Sequence, residues 1–361
     1  MLFMANFDLA MPTALLAVIL ATFFLNKRSE GKLKGVLEEK EFETKNVIFL
    51  VVMITITISV IAFISSLNPG QIFPIIILSV FMLSYSMLLF IFSYIFSNLK
   101  RKSSQIFSLI FCIIGFFVGT ISLFEPFLDS LSLIRALSFY IFGFFALSSS
   151  IFEFKNKKHD EKWFIAFQPT ILFVLFFVFF NLAYNGISVW SPILLNIYGF
   201  LFAVLIILYL GSMFTWKTTF IFAILLTVVD IILVLGTGSM VVAAQQFTEL
   251  GLPVLVRLPN IPLNYVDGVL LSRGLGLGDF FFAGILGLQT FKKYGKKIGV
   301  LSAISMTASF GIFEAFLPEI IEILEPILQR EIGGFPGTLM IICGWLPIVV
   351  WKFVEIKKNK N

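Results

Sequence analysis

Two aspartates lie within long apolar stretches of the chain, where ionisable side chains are uncommon. Asp230 lies within the apolar run 225–233, and Asp279 is followed directly by three phenylalanines. A charged side chain at the centre of a membrane helix costs at least about 2.5 kcal/mol, so each of these residues is a candidate functional residue. Two carboxyl groups a few ångström apart share one proton, and one can then activate water while the other polarises a carbonyl group. Such a pair could hydrolyse a peptide bond.

Taken singly, each signal has other interpretations. A lone aspartate in a membrane helix could be the structural partner of a polar neighbour or the ion ligand of a transporter. The glycines Gly274, Gly276 and Gly278 before Asp279 would let another backbone approach and let the segment depart from helix. A glycine-rich helix start is, however, more often a packing face than an active site.

The composition indicates a membrane protein. Of the 361 residues, 59% are hydrophobic and 13% are charged, against about 25% charged in typical soluble domains. The two cysteines lie in apolar stretches and the single His159 lies in a charged run, which argues against a disulfide framework, a zinc site and histidine-based catalysis. The sequence therefore predicts no metal and no cofactor.

The hydropathy pattern predicts an all-α polytopic membrane protein with about eleven transmembrane helices. Asp8 precedes the first helix and basic residues follow it, the reverse of a cleavable signal peptide. The predicted spans are 9–25, 46–66, 72–98, 105–124, 131–152, 163–184, 191–213, 218–239, 274–290, 298–317 and 336–353.

Basic residues alternate between the loops that connect these spans. One set of loops and ends carries 22 of the 26 Lys and Arg residues, and the other set carries Arg135, Arg257, Arg273 and Arg330. The positive-inside rule places the C-terminus in the cytoplasm and the N-terminus outside. The net charge of +5 thus reflects topology in a lipid bilayer, and no nucleic-acid partner is expected. The compact loops favour a prokaryotic plasma membrane.

A family resemblance joins the two aspartates. Gly276, Leu277, Gly278 and Asp279 match the GxGD motif of the presenilin and signal peptide peptidase family of intramembrane aspartyl proteases. The residues after Asp230 resemble the signal peptide peptidase pattern D-x5-G-T-x2-M-x3-A. The matching residues are Gly236, Thr237, Met240 and Ala244. The resemblance implies that Asp230 and Asp279 are the catalytic pair.

The last predicted helix carries a variant of the third family motif, Pro-Ala-Leu. Pro336 is kept, whereas Gly337 and Thr338 stand in place of Ala and Leu, and Val229 replaces a Tyr that usually precedes the first aspartate. These departures bear on substrate docking and on catalytic competence. Pro336 also has a purely structural interpretation, because proline is favoured in the first turn of any helix.

The resemblance also implies a division of the chain. A protease core of nine helices would occupy 71–361, after an N-terminal transmembrane hairpin with a basic cytoplasmic loop at 1–70. The catalytic helices would be at about 218–239 and 274–290, and the motif helix at 336–353. A cytoplasmic C-terminus is the orientation of the signal peptide peptidase branch, and the chain resembles a prokaryotic (archaeal) homologue. The implied substrates are transmembrane segments and signal-peptide remnants.

The connection between the catalytic helices contains a short run of β-branched and apolar residues. Val254 to Leu258 is bracketed by Pro253 and Pro259, which predicts a strand. In the family a strand near the second aspartate pairs with the unwound substrate, so Val254, Leu255 and Val256 become candidate substrate-binding residues. The alternative is an amphipathic loop at the membrane interface.

Three other functions are compatible with membrane carboxylates. A transporter or channel would also use them, but often shows an inverted repeat, and none is visible here. A type IV prepilin peptidase has a GxGD aspartate too, but at the cytoplasmic side and with charged residues soon after it. A catalytically impaired homologue or membrane scaffold is the third alternative, because of the altered Pro336-Gly337-Thr338 motif.

Overall fold

The computed structural model describes residues 8–37, 41–67, 72–96, 101–155, 163–184, 189–263, 265–266 and 269–359. His159 and the predicted domain boundary between residues 70 and 71 lie outside these ranges. In the described part the helices are α1 Ala10–Leu37, α2 Thr44–Ser66, α3 Ile72–Phe96, α4 Arg101–Ile121, α5 Ser132–Lys155, α6 Trp163–Phe177, α7 Leu195–Met213, α8 Trp216–Ile231, α9 Ser239–Glu249, α10 Leu277–Tyr294, α11 Lys296–Ala315, α12 Leu317–Leu328 and α13 Gly337–Lys358. Short π-helical turns extend α6 over Val178–Leu182, precede α7 over Trp190–Leu194 and extend α8 over Ile232–Gly236.

The protein is a multi-pass membrane protein. Among the described residues, nine helices are long and apolar enough to cross a bilayer, namely α2 to α8, α11 and α13. Helices are the expected form because lipid offers no partner for backbone N–H and C=O groups. The other two predicted spans correspond to α1, with a shorter apolar stretch at Ala10–Asn26, and to α10, which contains Asp279, Lys292 and Lys293. The total of eleven spans stays a prediction.

The connection between α9 and α10 folds as two small antiparallel sheets. Its strands are β1 Leu255–Pro259, β2 Tyr265–Val266, β3 Val269–Leu270 and β4 Ser272–Gly276. β1 pairs with β4, with Val256 opposite Leu275, and β2 pairs with β3. The strand predicted at 254–258 is therefore present as β1.

Several boundaries differ from those predicted. The helix of Asp279 begins at Leu277 and not at residue 274, because Gly274 and Gly276 pair with β1 in β4. Two further helices, α9 and α12, lie in segments that were predicted to be connections. α12 has no buried residue, and its mixed apolar and acidic sequence is typical of a helix at a membrane interface.

The described residues form two compact units, one made of those within 1–75 and 198–361 and the other of residues 76–197. In the first, α1 packs against α10 and α11, and α2 packs against α8 and α9. The first two helices therefore lie in the same unit as the two aspartates. The division into a hairpin at 1–70 and a core at 71–361 stays a prediction.

Within the first unit, α11 and α13 lie in close contact. The hydroxyl groups of Ser305 and Ser309 donate to the carbonyl oxygens of Gly344 and Met340, each at 2.7 Å. A Cβ atom on Gly344 would lie 2.8 Å from Cα of Met306, so only glycine permits this approach. This packing fixes α13, whose first turn reaches the aspartates.

In the second unit, α4 and α5 pack with their backbones in contact. A Cβ atom on Gly115 would lie 2.9 Å from Cα of Gly143. Arg135 of α5 is fully buried and forms a 2.8 Å ion pair with Asp129. The pairing compensates for the burial of the guanidinium charge.

Candidate active site

Asp230 lies in the last turn of α8, just before the π-helical turn Ile232–Gly236. The guanidinium group of Arg330 donates to the carbonyl oxygens of Val234 at 2.6 Å and of Gly236 at 3.1 Å. These carbonyl groups end a helix and have no partner in a following turn, so the cation satisfies them. The break after Gly236 leaves Asp230 beside an interrupted helix.

Asp279 is the third residue of α10, in its first turn. β4 leads directly into this helix, and the N–H of Leu277 donates to the carbonyl oxygen of Val254 at 2.8 Å. A carboxyl group in this position faces the positive end of the helix dipole. The adjacent Gly278 is exposed, and a Cβ atom there would have no neighbour within 4 Å other than its chain neighbours and the nearby backbone of α10. The sheet thus fixes the position at which the helix of Asp279 begins.

The segment Pro336 to Thr338 lies against both aspartates. The hydroxyl and the backbone N–H of Thr338 donate to Oδ2 of Asp230 at 2.6 Å and 3.3 Å. A Cβ atom on Gly337 would lie 2.6 Å from Cγ of Asp279. Pro336 is the N-cap residue of α13 and has extended backbone angles. Two successive residues at the start of one helix therefore contact the two carboxyl groups.

Both aspartates open onto one cavity of about 310 Å³. Its described lining residues are apolar side chains and glycines, apart from Asp230, Asp279 and Thr338, and they include no lysine, arginine or histidine. They are Ile54, Ile58, Leu226, Val229, Asp230, Leu233, Val234, Met240, Val241, Ala244, Leu255, Gly276, Gly278, Asp279, Phe281, Gly333, Gly334, Phe335, Gly337 and Thr338. Two carboxyl groups at one apolar cavity do not ionise together readily, so the arrangement favours one shared proton.

Most of the residues singled out in the sequence meet at this cavity. Met240 and Ala244 of the extended pattern after Asp230 line it, as does Leu255 of β1. Val256 does not line it, because its side chain is fully buried against Gly199. Val254 contributes its carbonyl oxygen to the start of α10.

Five residues at or near the site were not anticipated. Ile54 and Ile58 come from α2, which the sequence assigns to a separate hairpin, and Gly333 and Gly334 precede α13. The role of Arg330 at the end of α8 was also missed. The paired glycines, close before the motif residue Pro336, were the one local signal that could have indicated a close approach.

The arrangement can bind and polarise water between two carboxyl groups in an apolar setting. Among the described residues, no group of three or more His, Cys, Asp or Glu side chains could hold a metal ion. Comparisons with protein-family models, curated proteins and solved structures give no significant match for this chain. What the chain does must therefore be inferred from its residues and their geometry.

Proposed function

We propose that this chain is an intramembrane aspartyl endopeptidase, similar to the signal peptide peptidases. The observation that carries the proposal is the meeting of Asp230 and Asp279, from two different helices, at one apolar cavity. The described lining contains no cation that would make the aspartates members of structural ion pairs. Unpaired membrane carboxylates are costly, and catalysis accounts for their presence together.

In the proposed reaction the ionised carboxylate takes a proton from a water molecule as its oxygen attacks the peptide carbonyl carbon. The protonated carboxyl group donates its proton to the carbonyl oxygen, which gives a gem-diol intermediate. In the collapse of this intermediate, the aspartate that acted as acid takes back a proton from one gem-diol hydroxyl as the C–N bond breaks. The leaving nitrogen takes a proton from the aspartate that acted as base, which returns the pair to its starting state. Atoms and protons balance with water as the only co-reactant, and no cofactor is needed.

The proposed substrates are apolar transmembrane segments and signal-peptide remnants. The apolar lining of the cavity, from Ile54 to Phe335, suits side chains of that kind. Hydrolysis also requires that the substrate helix unwind near the aspartates. The β1–β4 sheet adjoins the cavity through Leu255 and Gly276, and each of its two strands has one strand neighbour among the described residues. An unwound substrate would add to one edge of this sheet by main-chain hydrogen bonds.

The proposal also includes the orientation of the chain in the membrane and the kind of membrane in which it lies. The distribution of Lys and Arg supports a cytoplasmic C-terminus and an outer N-terminus, and the compact loops support a prokaryotic plasma membrane. The three outer-side arginines of the first unit lie in the segments around the aspartate pair. They are Arg257 in β1, Arg273 in β4 and Arg330 after α12. In the proposed orientation the active site would lie near the outer face of the membrane.

The proposal is tested with purified protein in proteoliposomes and a single-span peptide substrate. We expect products whose new termini, located by mass spectrometry, lie within the apolar span. A hydroxyl-containing peptide isostere that mimics the gem-diol should block their formation. No cleavage of any single-span or signal-peptide substrate, together with a solute flux that depends on the aspartates, would favour the transporter instead.

Strand addition is tested separately by modifying the substrate and not the sheet, because replacing Val256 with proline would itself disrupt β1–β4. Main-chain hydrogen bonds along one edge of a strand involve alternate residues. N-methylation of successive substrate amides should therefore weaken cleavage with a period of two residues. Equal effects at every position would contradict strand addition without contradicting proteolysis.

A further inference from the structure

Thr338, in the first turn of α13, donates to Asp230 with both its side chain and its backbone. The hydroxyl and the backbone N–H of Thr338 both donate to Oδ2 of Asp230. A backbone N–H can only donate, so at least one of these two bonds requires Oδ2 to be an acceptor. Hydrogen bonds of this kind favour the ionised form of a carboxyl group.

Asp279 has a different environment. The residue facing its carboxyl group from α13 is Gly337, which has no side chain and offers no hydroxyl. Among the described residues, Thr338 donates two hydrogen bonds to Asp230, at 2.6 Å and 3.3 Å, whereas the backbone of Gly276 acts on Asp279. The dipole of α10 favours the ionised form of Asp279, but two hydrogen bonds to a charged group are the larger effect. If the pair holds a single proton, this asymmetry therefore favours its placement on Asp279.

We infer that Thr338 is a positioning residue that holds Asp230 as the ionised general base and leaves Asp279 as the general acid. The inference rests on the proposed function and deepens it, because it assigns the two roles within the aspartate pair. It also explains a departure from the family motif: threonine, unlike the leucine it replaces, can donate a hydrogen bond. The altered motif is thus compatible with catalysis.

Few other charged groups of the described residues face Asp230. From α10 the facing group is Asp279, while Lys292 and Lys293 lie in the last turn of that helix. The group that faces Asp230 from α13 is the uncharged Thr338. The described charged residues of α13 lie near the C-terminal end of that helix. α2 and α9 contribute apolar side chains to the cavity, and Arg330 donates to the carbonyl oxygens of Val234 and Gly236.

The test compares Thr338→Val, which keeps the shape and removes the hydroxyl, with Thr338→Ser, which keeps the hydroxyl. We expect the valine variant to lose about 10-fold to 100-fold in kcat with little change in KM, as for loss of one hydrogen bond to a charged group. The acidic limb of its kcat/KM profile should move to higher pH, because the carboxylate has lost a donor. Thr338→Ser should restore most of kcat and the original profile.

Thr227→Val is the matched control, because Thr227 lies on the same helix as Asp230 and its buried hydroxyl donates within α8, to Ala223. Thr227→Val should leave the pH dependence of kcat/KM unchanged. Thr338→Ala provides a second variant without the hydroxyl if the valine variant does not fold. The inference would be overturned if Thr338→Val and Thr338→Ala kept the kcat and the pH dependence of kcat/KM of the unmodified chain. If Asp230→Asn still abolished cleavage, the proposed function would remain intact. Absence of cleavage by the unmodified chain would overturn both.

Discussion

The hydroxyl of Thr338 donates a 2.6 Å hydrogen bond to Oδ2 of Asp230, although the two residues lie 108 positions apart in the chain. The preceding residue, Gly337, lies against the carboxyl group of Asp279. The first turn of α13 therefore joins the two aspartates, and the geometry of the pair depends on the packing of that helix against α11.

Gly337 should tolerate no side chain. A methyl group there would overlap the carboxyl group of Asp279, with only 2.6 Å between Cβ and Cγ, so Gly337→Ala should displace that carboxyl group. A displacement of about 1 Å at a catalytic group can lower the rate about 100-fold. The measurement is kcat with a single-span substrate.

Gly278→Ala is the control for this prediction. It also adds one methyl group next to Asp279 in the chain, but apart from its chain neighbours and the nearby backbone of α10 no atom lies within 4 Å of that methyl group. It should retain at least one-tenth of the activity. Equal losses in the two variants would show that contact with Asp279 is not the reason for glycine at residue 337.

Ile58 of α2 should control access to the aspartates, because its side chain lines their cavity. Ile58→Trp should fill part of the cavity and lower kcat/KM about 10-fold, which corresponds to about 1.4 kcal/mol. Ile56→Trp on the same helix is the matched control, since Ile56 is 51% exposed on the surface of this unit. The two variants are compared by measuring kcat/KM from cleavage rates over a range of substrate concentrations. An effect of the same size at Ile56 would contradict a role for the cavity-facing side of α2.

Arg330 should stabilise the end of α8. Arg330→Ala removes two hydrogen bonds to carbonyl oxygens and should lower the free energy of unfolding by about 1–2 kcal/mol. Arg330→Lys should recover only part of the loss, because an ammonium group does not reproduce the two-pronged guanidinium geometry. Unfolding in detergent measures both variants. Wild-type stability of Arg330→Ala would mean that water or lipid headgroups satisfy these carbonyl oxygens equally well.

The sequence predicts the apolar helices, the two candidate aspartates and the strand β1. These features depend on local pattern: a run of apolar residues, a carboxyl group inside such a run, and β-branched residues between Pro253 and Pro259. Each can be read within about twenty residues of the chain, the length of one membrane span.

Other features depend on contacts between distant residues and could not be read locally. β4 contains two glycines and no β-branched residue, so it is a strand only because it pairs with β1. The contact of α2 with α8, and the hydrogen bonds of Thr338 to Asp230, arise when helices pack. In the sequence, Gly337 and Thr338 are recognised only as departures from the Pro-Ala-Leu motif. In the folded chain, Gly337 lies against Asp279 and Thr338 donates to Asp230.

The central claim is that Asp230 and Asp279 together hydrolyse a peptide bond within a membrane span. Its most direct test is the rate of cleavage of a single-span substrate by Asp230→Asn and Asp279→Asn in proteoliposomes. Glu322→Gln on the exposed face of α12 makes the same carboxyl-to-amide change away from the cavity. We predict that each asparagine variant remains folded but gives no detectable product, while Glu322→Gln cleaves at the wild-type rate. Cleavage at an undiminished rate by either asparagine variant would contradict the two-aspartate mechanism.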